Sequence, residues 1–482
     1  MSGLFRRKLI TEQPPEHQLA RTLSWPHLVA LGVGAIVGTG ILTLIGVGAD
    51  RAGPAVLVSF VVAGAICACA ALCYAEMATM IPASGSAYTY SYATLGEVIA
   101  WVVGWSLILE YSLVVSAVAV GWSGYAVGFL HGIGIDLPAY LAHGPALAGA
   151  KCTGTTSAAS FGINLPAVLI IAVVAGLLSL GTRESARVNT LLVVIKIVTL
   201  ALFVAVALPH FDAANLNPFA PYGYASGATK CDPIGGSWVK LGVMPAAAII
   251  FFAFYGFDAI STAAEEAKNP DRDLAIGIVG SMILCTAIYI VVAAAALGAL
   301  HFTKFASSTE PLALILREVG QGKVATIVAA AAVIALPTVI LGFLYGQSRI
   351  FLVMARDGFL PAGLAKISRR GTPVRITAVT AVLVSILAAL VPLDVIASLA
   401  NAGTICAFIA VAVCVLVLRW REPEGRRPFR TPLAWLVAPG AILGCLYLFT
   451  SLQSITQISF FVWNAIGLAI YILYARRRSL VA

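Results

Sequence analysis

The sequence predicts an all-α polytopic membrane protein, with twelve transmembrane helices built as two inverted five-helix repeats plus a final pair. Three observations carry that prediction. Of the 482 residues, 60% are hydrophobic and 11% charged, with a mean hydropathy of +0.96, which leaves too little polar surface to cover a water-soluble domain. Apolar stretches of bilayer-crossing length recur along the whole chain. Two of them, the first and the sixth, are interrupted by the strings GVGAIVGTG (Gly32 to Gly40) and FAFYGFD (Phe252 to Asp258). A helix broken at membrane depth leaves peptide groups unpaired, which is tolerated only where protein or a polar ligand meets them. Breaks at corresponding places in two half-chains mark a site between repeats.

In chain order, residues 1–26 form a polar cytoplasmic tail without the apolar run and small-residue cleavage site of a leader. Residues 27–209 carry the first five spans, near 27–48, 54–80, 97–130, 164–180 and 189–208. Residues 210–239 make an extracellular loop, and residues 240–418 hold the second five, near 240–264, 275–300, 323–354, 375–391 and 394–418. The two units are of similar length and each opens on its interrupted helix, so the second is inverted if span one runs outward and span six inward. Residues 419–475 contain a basic loop and helices 11 and 12, outside this symmetry, before a cytoplasmic tail at 476–482. Between spans two and three, ASGSAYTYSYATL (Ala83 to Leu95) is too polar to span and too aromatic for a free linker, which predicts a short interfacial helix. EPLALILREV (Glu310 to Val319) predicts an amphipathic outer helix.

Orientation follows from the basic residues. With a cytoplasmic N-terminus, 22 of the 30 Lys and Arg fall on inner segments and seven on outer ones. Both termini are then cytoplasmic, in the inner membrane of a cell. The net charge of +9 reflects this asymmetry and an anionic inner leaflet, so nucleic acid is excluded as a partner. The thirtieth cation, Lys196, lies inside span five.

Chemistry other than binding finds little support. The six histidines are scattered without metal-ligand spacing, Gly320-Gln321-Gly322-Lys323 lacks the spacing and hydroxyl of a phosphate loop, and Val37 stands where a dinucleotide fingerprint needs its third glycine. No enzyme, metal or cofactor is expected. Seven of the nine cysteines lie in apolar spans as packing residues. Cys152 and Cys231 occupy outer loops, where a disulfide between them is a candidate.

Four ordered strings resemble the cationic amino acid transporter family of the amino acid, polyamine and organocation superfamily. They are GVGAIVGTGI in span one, LEYSL in span three, FFAFYGFDAISTAAEEAKNP across span six and QSRIFLVMARDGFLP leaving span eight. The resemblance covers roughly His27 to Leu418, and the chain's twelve spans are similar to the bacterial members. It implies a LeuT-like five-plus-five inverted repeat and an amino acid substrate, cationic or neutral.

In that setting the N–H groups of Gly38, Thr39 and Gly40 offer donors and a favourable dipole to a substrate carboxylate. The alternative is that Gly34 and Gly38 form a helix-packing face. The carbonyls of Ile36, Phe252, Ala253 and Tyr255 would accept from the substrate ammonium, with Phe252 and Phe254 either gating the site or simply core. Glu110 and Asp258 are ionisable groups inside spans, which are costly unless they meet a partner or a wet cavity. Glu110 would pair with a cationic side chain or sit as a neutral buried carboxyl. By resemblance Lys196 places an ammonium between spans one, five and eight, where sodium-coupled relatives bind a cation, so its protonation would replace sodium binding.

These readings predict a secondary active transporter importing amino acids by proton symport through alternating access. An exchanger, a uniporter and a non-transporting amino acid sensor are the alternatives. Protons and the lipid bilayer are the further partners, and a small single-span accessory subunit is left open.

Overall fold

A computed structural model describes residues 6–7, 23–142, 144, 162–180, 183–225, 228–231, 238–365 and 373–478. Ten helical segments among them are long and apolar enough to cross a membrane, and two shorter apolar helices, Leu165–Ser179 and Val374–Leu390, fall at the places expected for spans four and nine. The second of these has 17 residues and reaches about 26 Å at ~1.5 Å per residue, several Å short of a typical hydrocarbon core.

The first span starts as α1 (Trp25–Ile36), with Pro26 in the first turn, where its missing N–H costs nothing. It breaks at Val37 and Gly38, resumes as α2 (Thr39–Leu42), turns at Thr43 and continues as α3 (Leu44–Ala52). Then come α4 (Val56–Met80), α5 (Ser86–Thr94), α6 (Glu97–Gly132), α7 (Leu165–Leu180) and α8 (Arg183–Ala207). The loop beyond α8 holds a two-stranded antiparallel hairpin, β1 (Ala228–Cys231) with β2 (Trp238–Leu241), in which Thr229 faces Lys240.

The sixth span runs as α9 (Val243–Ile250), a tight 3-10 turn over Phe251–Phe254, an unwound Tyr255-Gly256 step and α10 (Phe257–Thr262). It is followed by α11 (Pro270–Ala299), α12 (Pro311–Glu318), α13 (Gly322–Ala335) and α14 (Pro337–Arg356). Pro337 divides the eighth span into α13 and α14, since it has no N–H to continue the ladder. The chain ends with α15 (Val374–Leu390), α16 (Leu393–Arg421), α17 (Ala434–Ser451) and α18 (Ser454–Ile470), the last running into a π turn at Tyr471–Ala475.

Both broken spans lie in the middle of the bundle. α1 packs on α11, α8, α10 and α14, while α9 packs on α4, α3 and α17. Around them α4 and α6 form long inner walls, with α16 laid along α6 and α17 along both α16 and α4. The final span is fastened to α6 by reciprocal indole bonds. Trp105 Nε1 donates to Trp463 O at 2.8 Å, Trp463 Nε1 donates to Trp105 O at 3.1 Å, and the two rings stack at 4.7 Å.

The tyrosine-rich segment is a helix, α5, and neighbouring helices enclose it. Tyr88, Tyr90 and Tyr92 are fully buried, in a helix packed against α6 and α16. Tyr88 donates to Asp357 Oδ2 at 2.7 Å. A polar, aromatic composition suits a protein-lined niche as well as it suits headgroups, and Tyr92 also finds a protein partner there, its hydroxyl donating to Glu97 Oε2 at 3.2 Å. α12 is amphipathic as expected, with Leu312, Ile315 and Leu316 buried and Arg317 paired to Glu310.

Candidate functional site

The two breaks are pressed together by bare backbone. Gly256 has φ +117°, and a Cβ there would stand 2.7 Å from the Ala35 carbonyl carbon and 2.8 Å from Ile36 N. Reciprocally, a Cβ on Gly40 would stand 2.3 Å from Ala253 Cα. Only glycine allows either approach. The other glycines of the first string also meet protein: Gly38 faces Val339, Gly34 faces Val193 and Asn189, and Gly32 faces Ile260 and Ser281. Close packing between spans therefore accounts for much of the glycine density.

Breaking a helix frees carbonyls, and side chains from neighbouring spans take them up. Lys196, 3% exposed on α8, donates from Nζ to Gly34 O at 2.8 Å and to Val37 O at 2.7 Å. Thr338, at the start of α14, stands 3.4 Å from the same Gly34 oxygen. Lys196 thus lies where the first, fifth and eighth spans meet. Next along the chain, Ile36 O lies 2.6 Å from the Tyr289 hydroxyl of α11, and that hydroxyl is also 2.9 Å from Ala253 O in the other break. Tyr125 of α6 donates to Leu42 O at 2.6 Å, satisfying the end of α2.

On the donor side, α2 begins at Thr39 after the break, and the opening N–H groups of a helix have no intrahelical acceptor. Gly38, Thr39 and Gly40 occupy that position. The Thr39 hydroxyl is buried without a hydrogen-bond partner, against the bare face of Gly121 on α6.

Asp258 sits in the first turn of α10 and is fully buried. Its Oδ2 accepts from the Tyr111 hydroxyl at 2.8 Å and its Oδ1 from Gly256 N at 3.1 Å, so this carboxyl ties the second break to α6. Glu110, one residue before Tyr111, is equally buried, and neither of its oxygens has a hydrogen-bond partner. α16 approaches Glu110 closely at Gly403, where an added Cβ would lie 3.2 Å from Glu110 Cβ. Phe252 is 5% exposed and stacks obliquely on Tyr255 at 5.3 Å. The Tyr255 hydroxyl donates to Asn401 Oδ1, while Asn401 Nδ2 donates to Ala248 O at 2.6 Å.

The structure therefore brings Ile36, Gly38, Thr39, Gly40, Ala253, Asp258 and Lys196 into one contiguous region. Phe252 and Tyr255 lie in the same second break. Sequence reasoning missed Tyr289, Thr338, Asn401 and Tyr111. A polar group inside an apolar span was the available signal, strongest for Asn401, since an amide has no reason to be there without partners. Cys152 lies outside the described residues, so the disulfide candidate with Cys231 does too.

One end of the bundle is laced by charge. Glu266 accepts from Arg349 Nη2 at 2.5 Å and from the Tyr345 hydroxyl, and the guanidinium lies 3.1 Å above the Tyr345 ring centre. Glu265 Oε1 accepts from Ser84 N at 3.0 Å. The segment before α1 joins the same end, with Leu23 N bonded to Glu266 O at 3.0 Å and Lys268 N to Leu23 O at 2.7 Å. Nearby, the buried Glu76 accepts from Arg419 Nε at 3.0 Å and Nη2 at 2.7 Å, and from Thr431 N at 2.8 Å.

Comparison with known proteins follows the same outline. The family model described as amino acid permease matches residues 23–474. A branched-chain amino acid permease of Bacillus subtilis is 44% identical over 482 residues, spanning 99% of this chain and 98% of the relative. A methylthioribose transporter of the same organism is 40% identical over 486 residues, covering all of both chains. The vacuolar cationic amino acid transporter 4 of Arabidopsis thaliana is 37% identical over 433 residues, 88% of this chain and 68% of the relative.

Proposed function

The chain belongs to the amino acid permease family, and from that premise we propose that it imports amino acids across the cytoplasmic membrane by proton symport. The family is one of permeases rather than enzymes. Twelve spans in a LeuT-like inverted repeat, 27–209 against 240–418, complete the reading. The ten long helices and two shorter apolar ones support it, as does a broken helix at the head of each unit. With the termini cytoplasmic, the end laced by Glu266 and Arg349 is the inner gate.

The observation that carries the coupling step is the placement of Lys196 on Gly34 O and Val37 O. Charge-assisted hydrogen bonds are roughly twice as strong as neutral ones. A protonated Lys196 therefore holds the start of the break firmly, and loss of the proton loosens it. The substrate carboxylate would take the N–H groups of Gly38, Thr39 and Gly40, and its ammonium the carbonyls of Ile36, Phe252, Ala253 and Tyr255. Glu110 would face the side chain of a cationic substrate, with Asp258 shaping the break beside it. Gating between the two faces would then turn on movement of the broken spans.

Purified protein in liposomes tests the proposal. Wild-type uptake should be accelerated by an inward proton gradient, and Lys196→Ala should abolish that acceleration while sparing exchange more than net uptake. Continued acceleration in the variant would overturn the coupling assignment. Flux insensitive to the gradient in the wild type would favour the exchanger or uniporter, and binding without flux the sensor.

A second reading rests on the 40% identity to a methylthioribose transporter. Methylthioribose has neither carboxylate nor ammonium, so it would use the same peptide groups through hydroxyls. Thermal-shift screening against the common amino acids and methylthioribose separates the two, because a ligand that binds the folded state raises its apparent stability.

A further inference from the structure

Tyr289 has no part in the mechanism above, yet it is fully buried at its centre. Its ring is clamped edge-on by Phe60 at 6.0 Å and Phe254 at 5.4 Å. Its hydroxyl reaches 2.6 Å from Ile36 O and 2.9 Å from Ala253 O, one carbonyl from each break. A phenol carries one proton, so it serves the two oxygens by sharing. These are two of the four carbonyls assigned above to the substrate ammonium.

We propose that the Tyr289 hydroxyl is a stand-in for the substrate ammonium, bridging the two breaks when the site is empty and yielding both carbonyls to the amino group of an incoming amino acid. This inference rests on the proposed reading of the site. Without the hydroxyl, two buried carbonyls of the empty site would lose their donor, which is costly in a medium without water. An ammonium brings three protons and a full charge and so displaces a neutral phenol. The empty carrier keeps its breaks joined and can return across the membrane without cargo, a step that net uptake requires and exchange does not.

Tyr289→Phe removes one oxygen and leaves the clamped ring. Its empty state is penalised and its bound state is not, so affinity rises. The test is thermal-shift titration of full-length wild type and Tyr289→Phe with L-leucine, L-alanine and L-arginine in turn, followed by net uptake and exchange in liposomes with the amino acid that shifts the wild type most. Expected are about tenfold tighter binding in the variant, the worth of one net hydrogen bond, and a net uptake that falls at least fivefold further than exchange does. Unchanged or weaker binding, or exchange and net uptake falling together, would make Tyr289 a fixed strut and overturn the proposal. Tyr289→Met also lacks the hydroxyl and fills the volume flexibly; it should show the same sign should the phenylalanine variant be recovered poorly. A wild type unmoved by any amino acid would instead sink the amino acid reading on which the proposal stands.

Discussion

Adding one methyl group at Gly256 should disable the site, and the size of the effect can be worked from two separate costs. The first is conformational: φ +117° is a region that side chains with a Cβ avoid, at a cost of roughly 1–2 kcal/mol. The second is steric. The new Cβ would stand 2.7 Å from the Ala35 carbonyl carbon and 2.8 Å from Ile36 N, and peptide atoms cannot rotate away as a side-chain end can. Overpacking of this kind costs about 1–3 kcal/mol. Together Gly256→Ala should destabilise the fold by about 2–5 kcal/mol or force the breaks apart.

Gly280→Ala is the control. That glycine lies within α11, where its Cβ would meet only Val29 Cγ2 at 3.7 Å, an ordinary contact. Alanine should there be neutral or stabilising by about 0.5–1 kcal/mol through helix propensity. Heating both variants in detergent and following the monodisperse fraction gives the ranking, and liposome flux gives the functional consequence. A Gly256→Ala protein as heat-stable and as active as wild type would refute the claim that the breaks rest on each other's backbone.

Two further outcomes follow from charge. Arg419→Ala strips two of the hydrogen bonds that hold the buried Glu76 carboxylate, leaving Thr431 N and the more distant Arg427; a loss on the order of 3 kcal/mol is expected, visible as a lower melting point that Arg419→Ala with Glu76→Gln partly restores. Outside the spans, burial pushes the Glu310 carboxyl above its ordinary 4.5, against the opposing pull of Arg317. A carboxyl raised on folding contributes stability that is full below its unfolded value and is lost as pH rises through its folded one, so the stability of wild type relative to Glu310→Gln should fall as pH climbs above about 4.5; a flat or rising difference contradicts the assignment.

Much of the architecture was legible because hydropathy and the cost of an unpaired peptide in lipid act along the chain itself. The two breaks were announced by glycine and aromatic strings, and the ordered strings pointed to the family that the comparisons then bore out. Lys196 stood out as a cation in a span, and the structure supplies its partners on α1. The helical form of α5 was legible, but the burial of its tyrosines was not. Lipid tails and protein interior are alike apolar, so composition cannot tell a tyrosine at the headgroups from one enclosed by helices. Tyr289 was hidden for a related reason: one phenol in a long apolar helix looks like packing until its oxygen is seen between two carbonyls 217 residues apart in sequence. The glycine string was ambiguous between approach by a ligand and approach by a neighbouring span, and three-dimensional contact alone reveals how many of its positions serve the second.

Gly40 resting on Ala253 and Gly256 resting on Ala35 and Ile36 make a lap joint. Timber joined that way cannot be slid at one member without levering the other. A tilt that begins at either interrupted rod is handed to its counterpart through bare peptide planes, with no compliant side chain between to absorb it, so the two rods share one pivot.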